Sequence, residues 1–465
     1  MQPSFLQALL CLSTGVTLIV VLTTRYRVHA FFALLLSCLV VGLGVGFPLN
    51  DVVATAKDGF GNIMKSLGLI IVLGTTLGVV LEYTGSTRVM AAYILKKIGP
   101  RRAAAAISLT GFIVGLPIFC DSGFIVLSGL NQSLAKSSRI PMAVIAVSLA
   151  TGLYSVHCLI PPHPGAAAAA GTMGVDFGRL IVAGVLVAIP AAVIGHCWAR
   201  YAGRNGMSAE SLVPSTQPAT ASGTPPTPLT ANQDDHPTPQ TASQEISPFR
   251  AFLPVITPIL LIALKSFFLV EHTTGLRWLS IFLSLGDPVI ALLTGVLLAF
   301  TGGRSWNRIV IGRLLNDSVE KAGSILVIIG AGGAFGAILA ATKMGEQLSA
   351  HLPLAGMGIF FPFLLTFLLK TAQGSSTVAI ITAASIVKPL LPALGLASGN
   401  GPLLCILSMG AGSMMISHAN DAYFWVIARF SGLDMRTMLK VYSMATLFMG
   451  LTAYGTVYLF SRFLS

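Results

Sequence analysis

The stretch GLPIFCDSGF at residues 115–124 and the stretch LLKTAQGSSTVA at 368–379 each set glycine, proline or polar side chains in the middle of an apolar run. Each is followed by a second interruption, VHCLIPPHPG at 156–165 and ISHANDAYFW at 416–425. The spacing is similar in the two halves of the chain: His157 follows Asp121 by 36 residues, and His418 follows Gln373 by 45. Helix breakers, carboxylates and imidazoles are costly at bilayer depth, so their duplication points to a buried solute site between two repeats. Such an arrangement belongs to a carrier.

Composition supports a membrane setting. Charged residues make up 9% of the 465, hydrophobic residues 54%, and the mean hydropathy is +0.83, far from the balance of a water-soluble globule. The net charge of +12 is spread between apolar runs and is not gathered into a stripe, which argues against a nucleic-acid partner and for loop charges that set orientation. Cys11, Cys38, Cys120, Cys158, Cys197 and Cys405 all lie in apolar stretches without a CxxC pair, so neither a disulfide framework nor a metal site nor a cofactor is indicated. The amino-terminal MQPSFLQALLCLSTG lacks a basic region and a small-residue cleavage site, and reads as a first membrane helix.

A span takes about 20 apolar residues. The candidates are 4–22, 29–49, 66–83, 140–172 (interrupted), 178–199, 251–270, 287–301, 318–341, 401–428 (interrupted) and 438–460. Two further runs, 103–136 and 357–392, are too long for one helix and have breakers at their centres. If both are re-entrant hairpins, 19 of the 28 Lys and Arg fall in loops on one side, which should be the cytoplasm. The expected fold is thus an all-α polytopic membrane protein built as an inverted repeat, with two re-entrant hairpins and two broken transmembrane helices. The repeats are 1–200 and 251–465, joined by a linker at 201–250. Residues 208–244 of that linker hold no aromatic side chain and are dominated by Pro, Thr, Ser, Ala and Gln, a composition that favours disorder. A weak match of LGVVLEYTGSTRVM (77–90) to FGAILAATKMGEQLS (335–349), pairing Gly78 with Gly336 and Gly85 with Gly345, is consistent with the duplication.

The interruptions supply the candidate site. Gly115 and Pro117 break the first hairpin before Asp121, Ser122 and Gly123; the second has Gln373, Gly374, Ser375, Ser376 and Thr377 at its tip. Helix starts carry unsatisfied N–H groups that favour an anion, so two facing tips would cradle a carboxylate and several hydroxyls. Taken singly, the small residues could serve only close helix packing. Asp121 at membrane depth could take up and release a proton, or could cap the helix that follows. Lys370 could attract a substrate's charge, pair with a carboxylate or snorkel. His157, Pro161, Pro162, His163 and Pro164 break one span; Ser417, His418, Asn420 and Asp421 break the other. Unwound backbone at that depth must be buried in protein or line a cavity. His157, His418, Asn420 and Asp421 therefore join the substrate candidates, and Asp121, Asp421 and His163 are the candidates for proton coupling. His196, near a span end, reads as interfacial.

GLPIFCDSGF, HCLIPPHPG with AAAAAGTMGVD, KTAQGSSTVA, and SHANDAYFW with SGLDM occur in an order that resembles the gluconate permease family of proton-coupled symporters, over the whole chain except 208–244. The resemblance implies a multi-pass carrier in the bacterial inner membrane for a sugar acid or small hydroxycarboxylate such as gluconate. It also implies the hairpin fold of the wider ion transporter superfamily, in which carriers often pair as homodimers through helices away from the hairpins. Asp-Ser-Gly stands at the first tip where a Glu-Val-Gly type is expected, and Ala166 stands where a proline is expected. Those departures bear on substrate identity, so glycerate, D-serine and sodium coupling stay open. An intramembrane hydrolase would need catalytic grammar, and HExxH, GxGD and GxSxG are absent. A passive channel fits an inverted duplication with occluding hairpins less well than alternating access does.

Overall fold

The computed structural model describes residues 4–99, 102–204, 246–270, 284–302, 306–342 and 356–463, and all regular elements among them are helices. Most of the 201–250 linker, and Gly345 of the internal match, lie outside the described residues.

The first half runs α1 (Phe5–Thr24), α2 (Ala30–Gly44), α3 (Leu49–Thr84) and α4 (Ser86–Ile98), then α5 (Ala103–Gly115) and α6 (Cys120–Ser138). It continues with α7 (Met142–Leu159), α8 (Pro164–Met173) and α9 (Phe177–Arg204). The second half holds α10 (Pro248–Val270), α11 (Pro288–Phe300), α12 (Arg308–Ala341), α13 (Phe360–Gln373) and α14 (Ser376–Val387). It closes with α15 (Gly401–Met414), α16 (Ala422–Ser431), a π-helical turn at Met438–Ser443 and α17 (Met444–Phe463). Among the described residues, six helical stretches are long and apolar enough to cross a bilayer: Leu49–Thr84, Met142–Met173, Phe177–Gly203, Pro248–Ser266, Arg308–Ala341 and Met435–Phe463. The chain is a multi-pass membrane protein.

Two spans are longer than the hydropathy reading of 66–83 and 318–341. α3 has 36 residues and α12 has 34. At 1.5 Å per residue α3 is about 54 Å long, well beyond a hydrocarbon core of about 30 Å. No breaker stops it after Leu49, and its polar first half is amphipathic: Val52, Gly59, Ile63 and Leu67 are buried while Lys57, Asp58 and Lys65 are exposed. In α12, Leu314, Ser318 and Ala322 form the buried stripe and Arg313, Asp317 and Glu320 face out. Conversely, the spans expected at 29–49 and 287–301 contract to helices of 15 and 13 residues. α4 is a helix in a stretch that hydropathy leaves between the expected spans.

Packing repeats from half to half. α3 lies along α12, α5 packs on α7, and α13 packs on α15. Glycine permits the last two contacts: a Cβ at Gly152 of α7 would overlap the Ser108 carbonyl of α5, and one at Gly412 of α15 would overlap the Phe363 carbonyl of α13. Such close backbone approach is how helices gain dispersion contact in lipid, where the hydrophobic effect does not draw them together. The halves then interlock reciprocally, since α6 packs on α16 and α14 on α8. The stretch Met142–Met173 is the most enclosed, with its apolar window wholly buried among other helices.

Candidate functional site

Each helix–turn–helix unit breaks where its residues demand. α5 ends at Gly115, Pro117 lies in the turn, and α6 starts at Cys120 behind Phe119, with no side chain capping it. Asp121 is therefore in the first turn and is not the cap, which corrects the capping alternative; its Oδ1 is buried and has no hydrogen-bond partner. In the second unit Gly374 ends α13 at φ +83°, a left-handed conformation open to glycine. Ser375 then caps α14, its hydroxyl accepting from the Val378 N–H at 3.3 Å. A Cβ at Gly374 would overlap the Asn420 carbonyl, so the two interruptions of the second half are in direct contact.

The broken spans satisfy backbone groups that the turns release. His163 Nε2 donates to the Gly115 carbonyl at 2.7 Å, and Asn420 Nδ2 donates to the carbonyls of Thr371 at 2.7 Å and Ala372 at 3.3 Å. One polar side chain from each break thereby covers the open end of a hairpin's first arm, as irregular backbone inside a membrane protein requires. His157 remains helical in the last turn of α7, one turn beyond Tyr154.

A buried cation sits beneath the second tip. Lys370 is fully buried; its Nζ lies 2.7 Å from Asp421 Oδ2 and donates to the Gly374 carbonyl at 2.5 Å. Of the three sequence alternatives for Lys370, the pairing with a carboxylate is the one observed. Asp421 also accepts from the Ser417 hydroxyl at 2.5 Å and caps α16 by accepting from the Tyr423 N–H at 3.0 Å. Every oxygen of that carboxylate is engaged, whereas Asp121 Oδ1 is not.

Between the tips lies a cavity of about 470 Å³. Of the sequence candidates it brings together Asp121, Ser122, His157, Gln373, Gly374, Ser375, Ser376, Thr377, Asn420 and Asp421. Gly123, His163 and His418 stand outside its lining: Gly123 backs onto Leu153, where a Cβ would come within 2.8 Å of a methyl carbon, and His163 lies 4.9 Å, ring to ring, behind His157. His196 is half-buried and within 2.9 Å of the Ser148 hydroxyl. The tips contribute two helix starts, at Cys120 and Ser376, whose first N–H groups have no intrahelical acceptor. Several buried polar atoms around the cavity are without partners: Asp121 Oδ1, His157 Nδ1, and both Gln373 Nε2 and Oε1. A carboxylate, an imidazole and an amide left open in one cavity suit a ligand bearing both donors and acceptors.

The lining also holds residues that sequence reasoning passed over: Tyr154, Tyr423, and Lys321, Ser324, Ile325 and Ile328 of α12. Tyr154 stacks on Tyr423 with centroids 5.8 Å apart, and their hydroxyls donate to the carbonyls of Ser413 and Ala150. Tyr154 could have been found from its place three residues before His157 on one helical face. Lys321 gave no signal, because it sits where an apolar run begins and reads as a loop charge.

A sequence profile described as GntP family permease matches residues 7–463. The chain is 33% identical to the gluconate permease of Pseudomonas aeruginosa over 444 residues, covering 94% of each chain. It is 30% identical to the inner membrane permease YgbN of Escherichia coli, covering 96% of this chain and 97% of that one. Among solved structures it is similar in fold to the YdaH transporter of Alcanivorax borkumensis, with a TM-score of 0.60, 15% identity and 90% of each chain covered.

Proposed function

The chain belongs to the GntP family of permeases, and from that premise we propose that it is a secondary active carrier moving a sugar acid or small hydroxycarboxylate such as gluconate by proton symport. It is a transporter and not an enzyme. The observation that carries the reading is the cavity between two helix starts in which Asp121 Oδ1 is left unpaired while Asp421 is neutralised by Lys370. In this reading the N–H groups and hydroxyls at Ser375–Thr377 hold the anion. Asn420 and Gln373 meet its hydroxyls, and Asp121 carries the proton because it is the carboxylate free to change state. The relative in P. aeruginosa, named a gluconate permease, and the E. coli relative, named an inner membrane permease, support substrate class and location.

We read the architecture as an inverted repeat. The order of long helix, helix–turn–helix, broken span and closing helix occurs in both halves, and the reciprocal packing of α6 on α16 and α14 on α8 supports two-fold exchange between them. α5–α6 and α13–α14 are then re-entrant hairpins whose tips meet near the midplane, and a homodimer would form away from them. Sealed vesicles made with purified protein test the whole reading: labelled gluconate, glycerate and D-serine are offered with a proton gradient, with a sodium gradient and with none. Accumulation of gluconate with the proton gradient alone is expected. Accumulation driven only by sodium, or of D-serine but not gluconate, would replace the coupling or the substrate.

A further inference from the structure

Lys321 is the cavity residue the reading above does not use. It lies on the α12 stripe Lys321, Ser324, Ile325 and Ile328, an i, i+3, i+4, i+7 face that lines the cavity. The Ser324 hydroxyl is spent on the helix itself, donating to the Lys321 carbonyl at 3.0 Å, so the ammonium is the free donor of that face. Lys321 is exposed and makes no ion pair among the described residues.

The charge balance of the cavity turns on it. Its lining carboxylates are Asp121 and Asp421, its imidazole is His157 and its ammonium is Lys321. Lys370, the other nearby cation, does not line the cavity and is cancelled by Asp421. An anion entering beside Asp121 would be opposed by that carboxylate, with partial charges at two helix starts and one full positive charge to offset it. We propose that Lys321 is a specificity-determining residue: from the α12 side of the cavity its ammonium meets the substrate carboxylate that Ser375–Thr377 hold, so that acids are taken in preference to the neutral polyols that the amide, imidazole and hydroxyl groups of the cavity would otherwise accept. The proposal rests on the carrier reading and deepens it by orienting the substrate.

The test is vesicle uptake of labelled gluconate by wild type, Lys321→Gln and Lys321→Arg, with the amount of each protein in the membrane measured by immunoblot and sorbitol offered as a neutral competitor. Lys321→Gln should raise KM about tenfold or more, as expected for a lost charge-assisted contact. Lys321→Arg should restore most of the affinity, and sorbitol should compete better against gluconate in the Gln variant than in wild type. A KM for Lys321→Gln within twofold of wild type, or equal losses in the Gln and Arg variants, overturns the proposal while leaving the carrier reading intact. Absence of uptake of gluconate, glycerate and D-serine alike by the wild type overturns the carrier reading and this inference with it.

Discussion

Lys370 Nζ and Asp421 Oδ2 are 2.7 Å apart across 51 residues of chain, a buried ion pair that ties the second helix–turn–helix unit to the second broken span. Neither charge would be tolerated there alone. Removing one partner of a buried pair leaves an uncompensated charge and typically costs about 3–5 kcal/mol, whereas removing both can be nearly neutral. Lys370→Met should therefore lower the thermal unfolding midpoint of the purified protein sharply, and Lys370→Met with Asp421→Asn should recover at least half of the loss. A double variant no better than the single one would show that the pair is not what joins these elements.

Gly374 is expected to be irreplaceable for two separate reasons. At φ +83° an L side chain costs about 1–2 kcal/mol, and its Cβ would also meet the Asn420 carbonyl, which the tip cannot relieve without moving the cavity wall. Gly374→Ala should abolish uptake. Gly455→Ala, in open space on α17, should leave uptake unchanged and serves as the control. Normal uptake by Gly374→Ala would mean that the second tip does not shape the site.

Much of this was legible in the sequence because the membrane penalises the same residues that a transport site needs. Gly115, Pro117 and Gly374 stand out in apolar runs, and they are where the helices end. The partners of those breaks were less legible. Nothing in HCLIPPHPG says that His163 serves the Gly115 carbonyl while His157, six residues earlier, lines the cavity, because two imidazoles in one interruption are told apart only by their folded contacts. Asp121 likewise reads as a cap because aspartate before a helix usually is one, but the helix starts at Cys120, two residues before the Ser122 start that a cap at Asp121 requires. The lengths of α3 and α12 are not legible because hydropathy reports only the continuously apolar portion of a helix, and an amphipathic extension is invisible to it.

Ser375 and Thr377 separate a structural from a binding role. The Ser375 hydroxyl already caps α14, so Ser375→Ala should lose about 1 kcal/mol of stability as well as affinity. Thr377 Oγ1 is only 3.5 Å from His157 Nε2, too loose a contact to matter much for folding. Thr377→Val is thus the cleaner substitution and should weaken gluconate uptake at unchanged thermal stability. Wild-type KM in Thr377→Val would remove that hydroxyl from the site.

Orientation follows from loop charge. In a cysteine-free background, a cysteine placed in the 208–244 linker should be protected from an impermeant thiol reagent in intact cells, while one at the exposed Asn50 should react. Reaction of the linker from outside would reverse the topology and with it the assignment of α5–α6 and α13–α14 as re-entrant.

Asp121 offers the sharpest test of coupling, because its Oδ1 is unpartnered while the Asp421 carboxylate is held by Lys370, Ser417 and the Tyr423 N–H. Asp121→Asn keeps the shape of the side chain and removes its ability to cycle a proton. Uphill uptake driven by a pH gradient should be lost. Exchange of labelled for unlabelled gluconate at equal pH should persist, because that half-cycle moves substrate without requiring net proton movement. The pairing of the two assays separates coupling from folding, since a misfolded variant would fail both. Concentrative uptake by Asp121→Asn with an unchanged response to the gradient would transfer the proton to Asp421 or the histidines, and Asp121 would then serve only to shape the first tip.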